Sequence, residues 1–167
     1  MPGYSPFENR VVRLINEDYF SVTGRPGFAY RLKQSRWNTQ FIDVLVDAMS
    51  RAHYLAIECK SIDPLKTKKF YFSAWTLNRK GKHQVETISD FIEKSQRFGI
   101  LAAEIRKGRG PTPNHIFLLP WSHVNDLFVQ GAVGIDPAKL PGEYPQLQKV
   151  DGVLNLETCL SQLRQFP

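Results

Sequence analysis

The chain has 167 residues, of which 42% are hydrophobic and 23% charged, as is ordinary for one globular domain. Its net charge of +6 suits a polyanionic partner such as nucleic acid. Two cysteines without a CxxC pair argue against a disulfide framework and a zinc ribbon, and no apolar run approaches the roughly 20 residues of a membrane span. Because the N-terminus also lacks an apolar secretory segment, we expect a cytoplasmic protein (host-cell cytoplasm if phage-encoded) without a membrane partner.

The first predicted element is a helix that starts with a capping box. Ser5 is placed at the N-cap, Pro6 at the first helical position and Glu8 three residues after the cap. An apolar stripe at helical spacing follows, formed by Phe7, Val11, Leu14 and Ile15. Glu8 lies beside that stripe, so it either closes the capping box or reaches inward to a metal ion, and the residues alone favour the cap.

Two apolar strands are predicted next, after the breaker Gly24-Arg25-Pro26-Gly27 and a basic, polar loop. They are Phe41–Val46 and His53–Cys59, an antiparallel pair connected around Asp47–Arg51. A basic segment with interleaved aromatic residues, 61–82, separates them from a helix predicted over Gln84–Arg97 with Gly99 as its stop.

The remaining runs alternate between strand and helix patterns. Strands are predicted at Ile100–Ile105 and Ile116–Leu119, and helices at Ser122–Val129 and Leu154–Phe166. This succession of helices and strands predicts an α/β fold with a mixed central β-sheet flanked by helices. We expect a core over residues 1–130, with 131–167 as a C-terminal extension of the same domain.

Three ionisable residues occur in or at the end of the two apolar strands. Asp43 lies in the first, and Glu58 and Lys60 share one face of the second because residues i and i+2 of a strand point the same way. Cys59 points to the other face and is expected in the core. Buried charges are costly unless they pair or bind a metal.

Carboxylate oxygens favour Mg²⁺, with Mn²⁺ expected to substitute. Asp43 and Glu58 are the predicted ligands, and the backbone carbonyl of Cys59 would add an oxygen. Lys60 would stabilise the transition state of phosphodiester cleavage. Asp47 shares a strand face with Asp43 and is its rival, although it lies nearer the turn.

An acid followed by Glu-x-Lys on the next strand resembles the PD-(D/E)xK nuclease superfamily, and Ala56-Ile-Glu-Cys-Lys-Ser61 is similar to the corresponding strand of archaeal-type (Hjc-like) Holliday junction resolvases. The resemblance implies a restriction-endonuclease-like core and a metal-site role for Glu8, since that family carries a Phe-Glu pair on its first helix. His83-Gln84 is similar to a His-Gln pair of the bacterial RecU resolvases, which implies that Gln84 orients water or Lys60 near the site. The residues alone leave open that Gln84, at a helix start after a basic loop, is only solvated.

Basic loops precede and follow the two strands, and both runs connect to the strand ends that carry the acids. We expect them to bind DNA phosphates without reading sequence. The predicted contact residues are Arg25, Arg31, Lys33, Ser35, Arg36, Lys66, Lys68, Lys69, Arg79, Lys80 and Lys82.

The pattern as a whole predicts a Mg²⁺-dependent endonuclease that resolves four-way (Holliday) junctions by paired symmetric nicks. A two-fold symmetric junction calls for two identical sites, which a homodimer supplies. The alternatives are another PD-(D/E)xK nuclease of repair or restriction type, or a non-catalytic nucleic-acid-binding protein.

Overall fold

A computed structural model of the chain describes residues 6–32, 41–108 and 114–167. The helices are α1 (Phe7–Ile15), α2 (Gln84–Ser95), α3 (Trp121–Val129), α4 (Leu140–Glu143) and α5 (Leu156–Leu163). The strands are β1 (Gly27–Arg31), β2 (Val44–Ala48), β3 (Leu55–Ile62), β4 (Phe70–Tyr71), β5 (Phe98–Ile105), β6 (His115–Pro120), β7 (Gly134–Ile135), β8 (Gln146–Leu147), β9 (Lys149–Val150) and β10 (Val153–Leu154).

Six of these strands form one mixed sheet in the order β1-β2-β3-β5-β6-β8. Strands β1, β2 and β3 pair antiparallel, β5 runs parallel to β3, and β6 and β8 continue antiparallel. The segment between β3 and β5 contains α2, as a parallel connection requires a crossover. The predicted α/β architecture with a mixed central sheet flanked by helices is therefore confirmed.

The sheet separates two hydrophobic layers, and β3 contributes to both by strict alternation. Ile57 and Cys59 pack with α1 and α5, whereas Ala56 and Ile62 pack with α2 and α3. Glu58 and Lys60 belong to the second face, which confirms the predicted side-chain directions. Both cysteines are free and buried. No helix among the described residues is long and apolar enough to cross a membrane.

Helix α1 begins one residue later than predicted. Pro6 has extended backbone angles (φ −50°, ψ 149°) and acts as the N-cap, not as the first helical residue. Its carbonyl oxygen accepts from the backbone N–H of Asn9 (3.0 Å) and Arg10 (3.3 Å). The predicted N-cap, Ser5, lies outside the described residues. The helix continues through a π-helical turn, Asn16–Ser21, until Gly24 at φ +67°.

Helix α2 ends at Ser95, and the predicted stop at Gly99 is wrong. The left-handed residue after the helix is Gln96 (φ 57°), and Gly99 lies within β5. A Cβ at Gly99 would approach a side-chain atom of Ile92 to 2.3 Å and the Cβ of Trp121 to 2.7 Å. The glycine is therefore needed for close packing of α2 and α3 on the sheet, not for chain reversal.

Two further elements differ from the prediction. Gly27–Arg31 forms β1, a strand that the sequence analysis does not assign. The C-terminal helix is shorter than predicted, because Val153–Leu154 pairs with Lys149–Val150 as a small hairpin before α5 starts at Leu156. Residues 131–167 contribute β8 to the central sheet and α5 to the layer that contains α1.

Candidate active site

Glu58 and Lys60 lie on the α2 face of β3 and form an ion pair. The Lys60 Nζ is 2.8 Å from Glu58 Oε1, and the side chains are 25% and 1% exposed. Such burial of a carboxyl is costly and requires partners. The pair thus places a cation at the mouth of the site and an acid at its base.

Gln84 completes this arrangement from the first residue of α2. Its Nε2 donates to Glu58 Oε1 (2.7 Å), and its Oε1 accepts from Lys60 Nζ (3.1 Å). His83 fixes the start of the helix, because its Nδ1 accepts from the N–H of Val85 and its Nε2 lies 2.9 Å from the carbonyl oxygen of Phe72. The amide therefore bridges the acid and the lysine, and its orienting role stays a prediction.

Trp75 is a further neighbour of Lys60 that the sequence analysis does not identify. The Lys60 Nζ lies 4.8 Å from the centroid of the Trp75 ring, a cation–π distance. The ring is 6% exposed and packs against Trp121 and Phe72. The only sequence signal is the presence of aromatic residues in the basic segment after β3, which does not say where that segment returns.

Asp43 immediately precedes β2, where the antiparallel ladder to β3 ends. The last register pair joins Val44 and Ile57. Two residues further along β3, the backbone N–H of Cys59 donates to Asp43 Oδ2 at 2.9 Å. Because the N–H and C=O of a strand residue point to the same neighbouring strand, the Cys59 carbonyl oxygen is directed to this side as well. We call this point, where β2 and β3 diverge beside Asp43 and Cys59, the strand fork. Carboxylate and carbonyl oxygens are both directed to it.

Asp47, the rival acid, is engaged elsewhere. It forms an ion pair with Arg97 (2.8 Å) and accepts from the Tyr30 hydroxyl (2.7 Å). Asp47 lies at the opposite end of β2 from the fork, and the structure favours Asp43 as the acid of this site.

Glu8 approaches the fork from α1 on the other side of the sheet. Its charge raises the pKa of the Asp43 carboxyl, which places the two acids within electrostatic range of each other. Burial is the largest cause of that raised pKa, and the Cys59 N–H and Lys60 oppose it.

Burial raises the pKa of Glu58 further, to about 8, although Lys60 opposes the shift. Asp43 adds to the increase, since two neighbouring carboxylates repel each other. Glu58 Oε2 is buried and, while ionised, has no hydrogen-bond donor among the described residues. When Glu58 is protonated, its carboxyl group donates a hydrogen bond to the Asp43 carboxylate. A divalent cation would satisfy that oxygen and relieve the repulsion, so the donor set fits Mg²⁺.

No group of three His, Cys, Asp or Glu side chains within 6–32, 41–108 and 114–167 is close enough to hold an ion by itself. Mg²⁺ is nevertheless commonly bound by only one or two carboxylates, and water molecules complete its coordination shell. Asp43, Glu58 and a backbone carbonyl oxygen would be sufficient. The ligand roles of Glu8, Asp43, Glu58 and the Cys59 carbonyl therefore stay predictions.

Six of the predicted basic contact residues lie in two loops. Lys66, Lys68 and Lys69 follow β3, and Arg79, Lys80 and Lys82 precede α2, so both sets flank the strand and helix that meet at Lys60 and Gln84. The Asn78 Oδ1 organises the second loop by accepting from the N–H of Lys80 and of Lys82 at 2.9 Å each. Lys82 also forms an ion pair with Asp90.

Arg31 and Arg25 lie at opposite ends of β1. Arg31 pairs with Val44 beside the fork, and its guanidinium donates to Asn9 Oδ1 at 3.0 Å. Arg25 lies at the far end of the strand and forms an ion pair with Glu157 of α5 (3.0 Å), so the structure does not bring it to the site. Lys33, Ser35 and Arg36 lie outside the described residues.

No protein-family model and no curated protein sequence matches the chain. Among solved structures, the chain is similar to Hjc of Archaeoglobus fulgidus, a Holliday junction resolvase from an archaeal hyperthermophile. The identity is 16%, the TM-score 0.48, and the alignment covers 82% of this chain and 89% of that chain.

Proposed function

We propose that this chain is a Mg²⁺-dependent DNA endonuclease that resolves four-way junctions by paired symmetric nicks. The observation that carries the proposal is the convergence of a buried Glu58, its partners Lys60 and Gln84, and Asp43 at one strand fork. Buried acids with raised pKa values beside a fixed cation are typical of catalytic sites, and carboxylates that face a phosphate would repel it in a module that only binds DNA.

The residues divide the work of phosphodiester cleavage as follows. Asp43, Glu58 and the Cys59 carbonyl would hold the metal ion, with Glu8 completing the shell. The bound ion would lower the pKa of a water molecule and neutralise charge on the phosphate. Lys60, held by Gln84 and Trp75, would donate to the phosphate oxygens as negative charge develops. Holding the ammonium in place beforehand avoids reorganisation during the reaction.

Substrate choice follows from the charge around the site. The loops that carry Lys66, Lys68 and Lys69 and Arg79, Lys80 and Lys82 flank the strand and helix that form it. Such side chains contact phosphates and favour a substrate defined by shape, not by sequence. A homodimer would place two such sites on the two symmetric strands of a junction.

The direct test is cleavage of an end-labelled synthetic four-way junction and of a linear duplex of the same sequence, with Mg²⁺, Mn²⁺ or EDTA. We expect paired symmetric nicks in the junction alone, lost with EDTA. Cleavage of both substrates would indicate another PD-(D/E)xK nuclease. Tight binding without cleavage under either metal would indicate a non-catalytic binding protein.

Asp43→Asn separates catalysis from folding. The amide oxygen can still accept from the Cys59 N–H, so the fork should persist while the charge that binds metal is lost. We expect junction cleavage to fall at least about 100-fold with junction affinity retained, measured by gel cleavage and by fluorescence anisotropy. Asp47→Asn is the matched control and should keep full cleavage. Equal losses of cleavage in the two variants would contradict the assignment of Asp43.

A further inference from the structure

A second buried acid, Glu104 of β5, plays no part in the site described above. Its side chain is fully buried, and its Oε2 lies 2.5 Å from Arg10 Nη2 of α1. Ser61 Oγ donates to its Oε1 (2.7 Å), and Asn114 Nδ2 donates to its Oε2 (3.2 Å). A buried ion pair is weak evidence for stability, since desolvation offsets much of the attraction. Stability alone therefore does not explain the position of the Arg10–Glu104 ion pair.

The ion pair joins two elements that both bear on the fork. Arg10 lies two residues after Glu8 on α1. Ser61 directly follows Lys60 on β3 and is paired in register with Glu104. Glu104 is thus connected on one side to the helix that carries Glu8, and on the other to the strand that carries Glu58 and Lys60.

The helical geometry relates the Arg10–Glu104 contact to the direction in which Glu8 projects. Residues two apart in an α-helix project about 200° from each other. Phe7 and Val11 face the core, so Glu8 and Arg10 leave the helix on either side of that buried stripe. Arg10 reaches β5, and the Glu8 charge acts on Asp43 beside β2. Helix α1 therefore lies across β3, and a contact on its β5 side fixes its rotation about its own axis.

We propose that Arg10 is a positioning residue, and that its ion pair with Glu104 sets the rotation of α1 so that Glu8 is presented to the metal site at Asp43. The inference rests on the proposed function, specifically on Glu8 as a metal ligand. Outer partners that orient metal ligands commonly change metal affinity by about 10–100-fold when they are removed.

The test is Mn²⁺ binding, followed by the loss of the electron paramagnetic resonance signal of free Mn²⁺, without any DNA. Arg10→Met keeps the packing of the side-chain stem and removes the charge. We expect its Kd for Mn²⁺ to rise about 10-fold or more, in the same direction as Glu8→Gln. Arg10→Lys restores a charge opposite Glu104 and should recover part of the affinity. Glu104→Gln, which can still accept from Ser61, is the second variant if Arg10→Met fails to fold.

Asn16→Ala is the matched control for general loosening of α1. Asn16 lies about two turns beyond Glu8 and fixes the far end of the helix through two hydrogen bonds to the Ala29 backbone, 2.8 and 2.7 Å. It should lower the melting temperature and leave the Kd for Mn²⁺ unchanged.

Two results would overturn the inference, and they are distinguishable. If Glu8→Gln weakens Mn²⁺ binding while Arg10→Met and Glu104→Gln do not, the ion pair is structural and the proposed function stands. If Glu8→Gln has no effect while Asp43→Asn abolishes binding, the metal site stands without Glu8 and the positioning role is lost. Mn²⁺ binding that survives Asp43→Asn would count against the proposed function itself.

Discussion

Among single side chains, Glu58 lies in an environment that disfavours its charged form. Its folded-state pKa of about 8 lies above the ordinary value of 4.5 because burial disfavours the charged form. The folded protein therefore retains a proton that the unfolded chain releases, so stability falls as pH rises from about 4.5 to 8. The burial of Glu58 therefore lowers the stability of the metal-free protein at neutral pH.

Replacement of this carboxyl should stabilise the metal-free protein. The amide of Glu58→Gln can accept from Lys60 and donate to Asp43 without charge. In EDTA at pH 7 we expect a gain on the order of 1 kcal/mol, a few degrees in melting temperature, that disappears near pH 4.5. Thermal denaturation at pH 5, 7 and 8.5 measures this. A gain of the same size at all three pH values would show that titration of Glu58 is not its cause.

The contact between Gln84 and Lys60 predicts that Gln84 orients the lysine for cleavage. Gln84→Ala removes one of the two groups that hold the Lys60 ammonium and a donor to Glu58. We expect the single-turnover rate of junction cleavage to fall about 10–100-fold with little change in junction affinity, because orientation is lost but charge is kept. Gln162→Ala, on the exposed side of α5, serves as the control. A loss confined to affinity would show that Gln84 contacts DNA and does not orient Lys60.

The sequence identifies those site residues that lie within one regular pattern. Glu58 and Lys60 follow from strand alternation, and Asp43 from its place in an apolar run. Trp75 could not be found this way, since it is reached through an irregular segment whose path depends on tertiary packing. Arg10 and Glu104 are 94 positions apart in sequence, and nothing local to either residue indicates that they meet.

At the level of elements, the junction of α2, α3 and β5 depends on the absence of a side chain at Gly99. A Cβ there would overlap Ile92 and Trp121, both of which are fixed by packing. Gly99→Ala should therefore lower the free energy of unfolding by about 1–3 kcal/mol, measured by urea denaturation. Gly142→Ala, where a Cβ meets no atom within 4 Å, is the control and should change it little. Similar values for the two variants would show that the layers relax around the added methyl group.

Element boundaries depart from the prediction where backbone and tertiary contacts override local pattern. Pro6 is an N-cap because its ψ of 149° is extended. Strand β1 is short, and its Phe28 is 61% exposed, so no apolar alternation identifies it. The types and order of the main elements were nevertheless predictable from periodicity, since α1, β2, β3, α2, β5 and β6 each bury a continuous face.

For the whole molecule, the net charge of +6 predicts binding that weakens steeply with salt. Each phosphate contact contributes about −0.9 to the slope of log K against log salt concentration. Lys66→Gln combined with Lys68→Gln should make the slope shallower by about 2, equally for different sequences, in anisotropy titrations of a junction. Lys94→Gln combined with Lys149→Gln changes the net charge equally, away from the loops beside the site, and should leave the slope nearly unchanged. Equal effects of the two pairs would assign binding to overall charge.

Helix α5 is synthesised after all residues of the candidate site, and it is needed to hold α1 in place. All candidate ligands, Lys60 and Gln84 lie within the first 84 residues, but Leu156, Cys159, Leu160 and Leu163 close the layer that also holds α1. A growing chain therefore contains every group of the site long before the face that supports Glu8 is covered. We expect a nascent chain that lacks α5 to be unable to hold α1 in place. The synthesis of α5 would then act as a safeguard, since the candidate ligands cannot be held together before it is made.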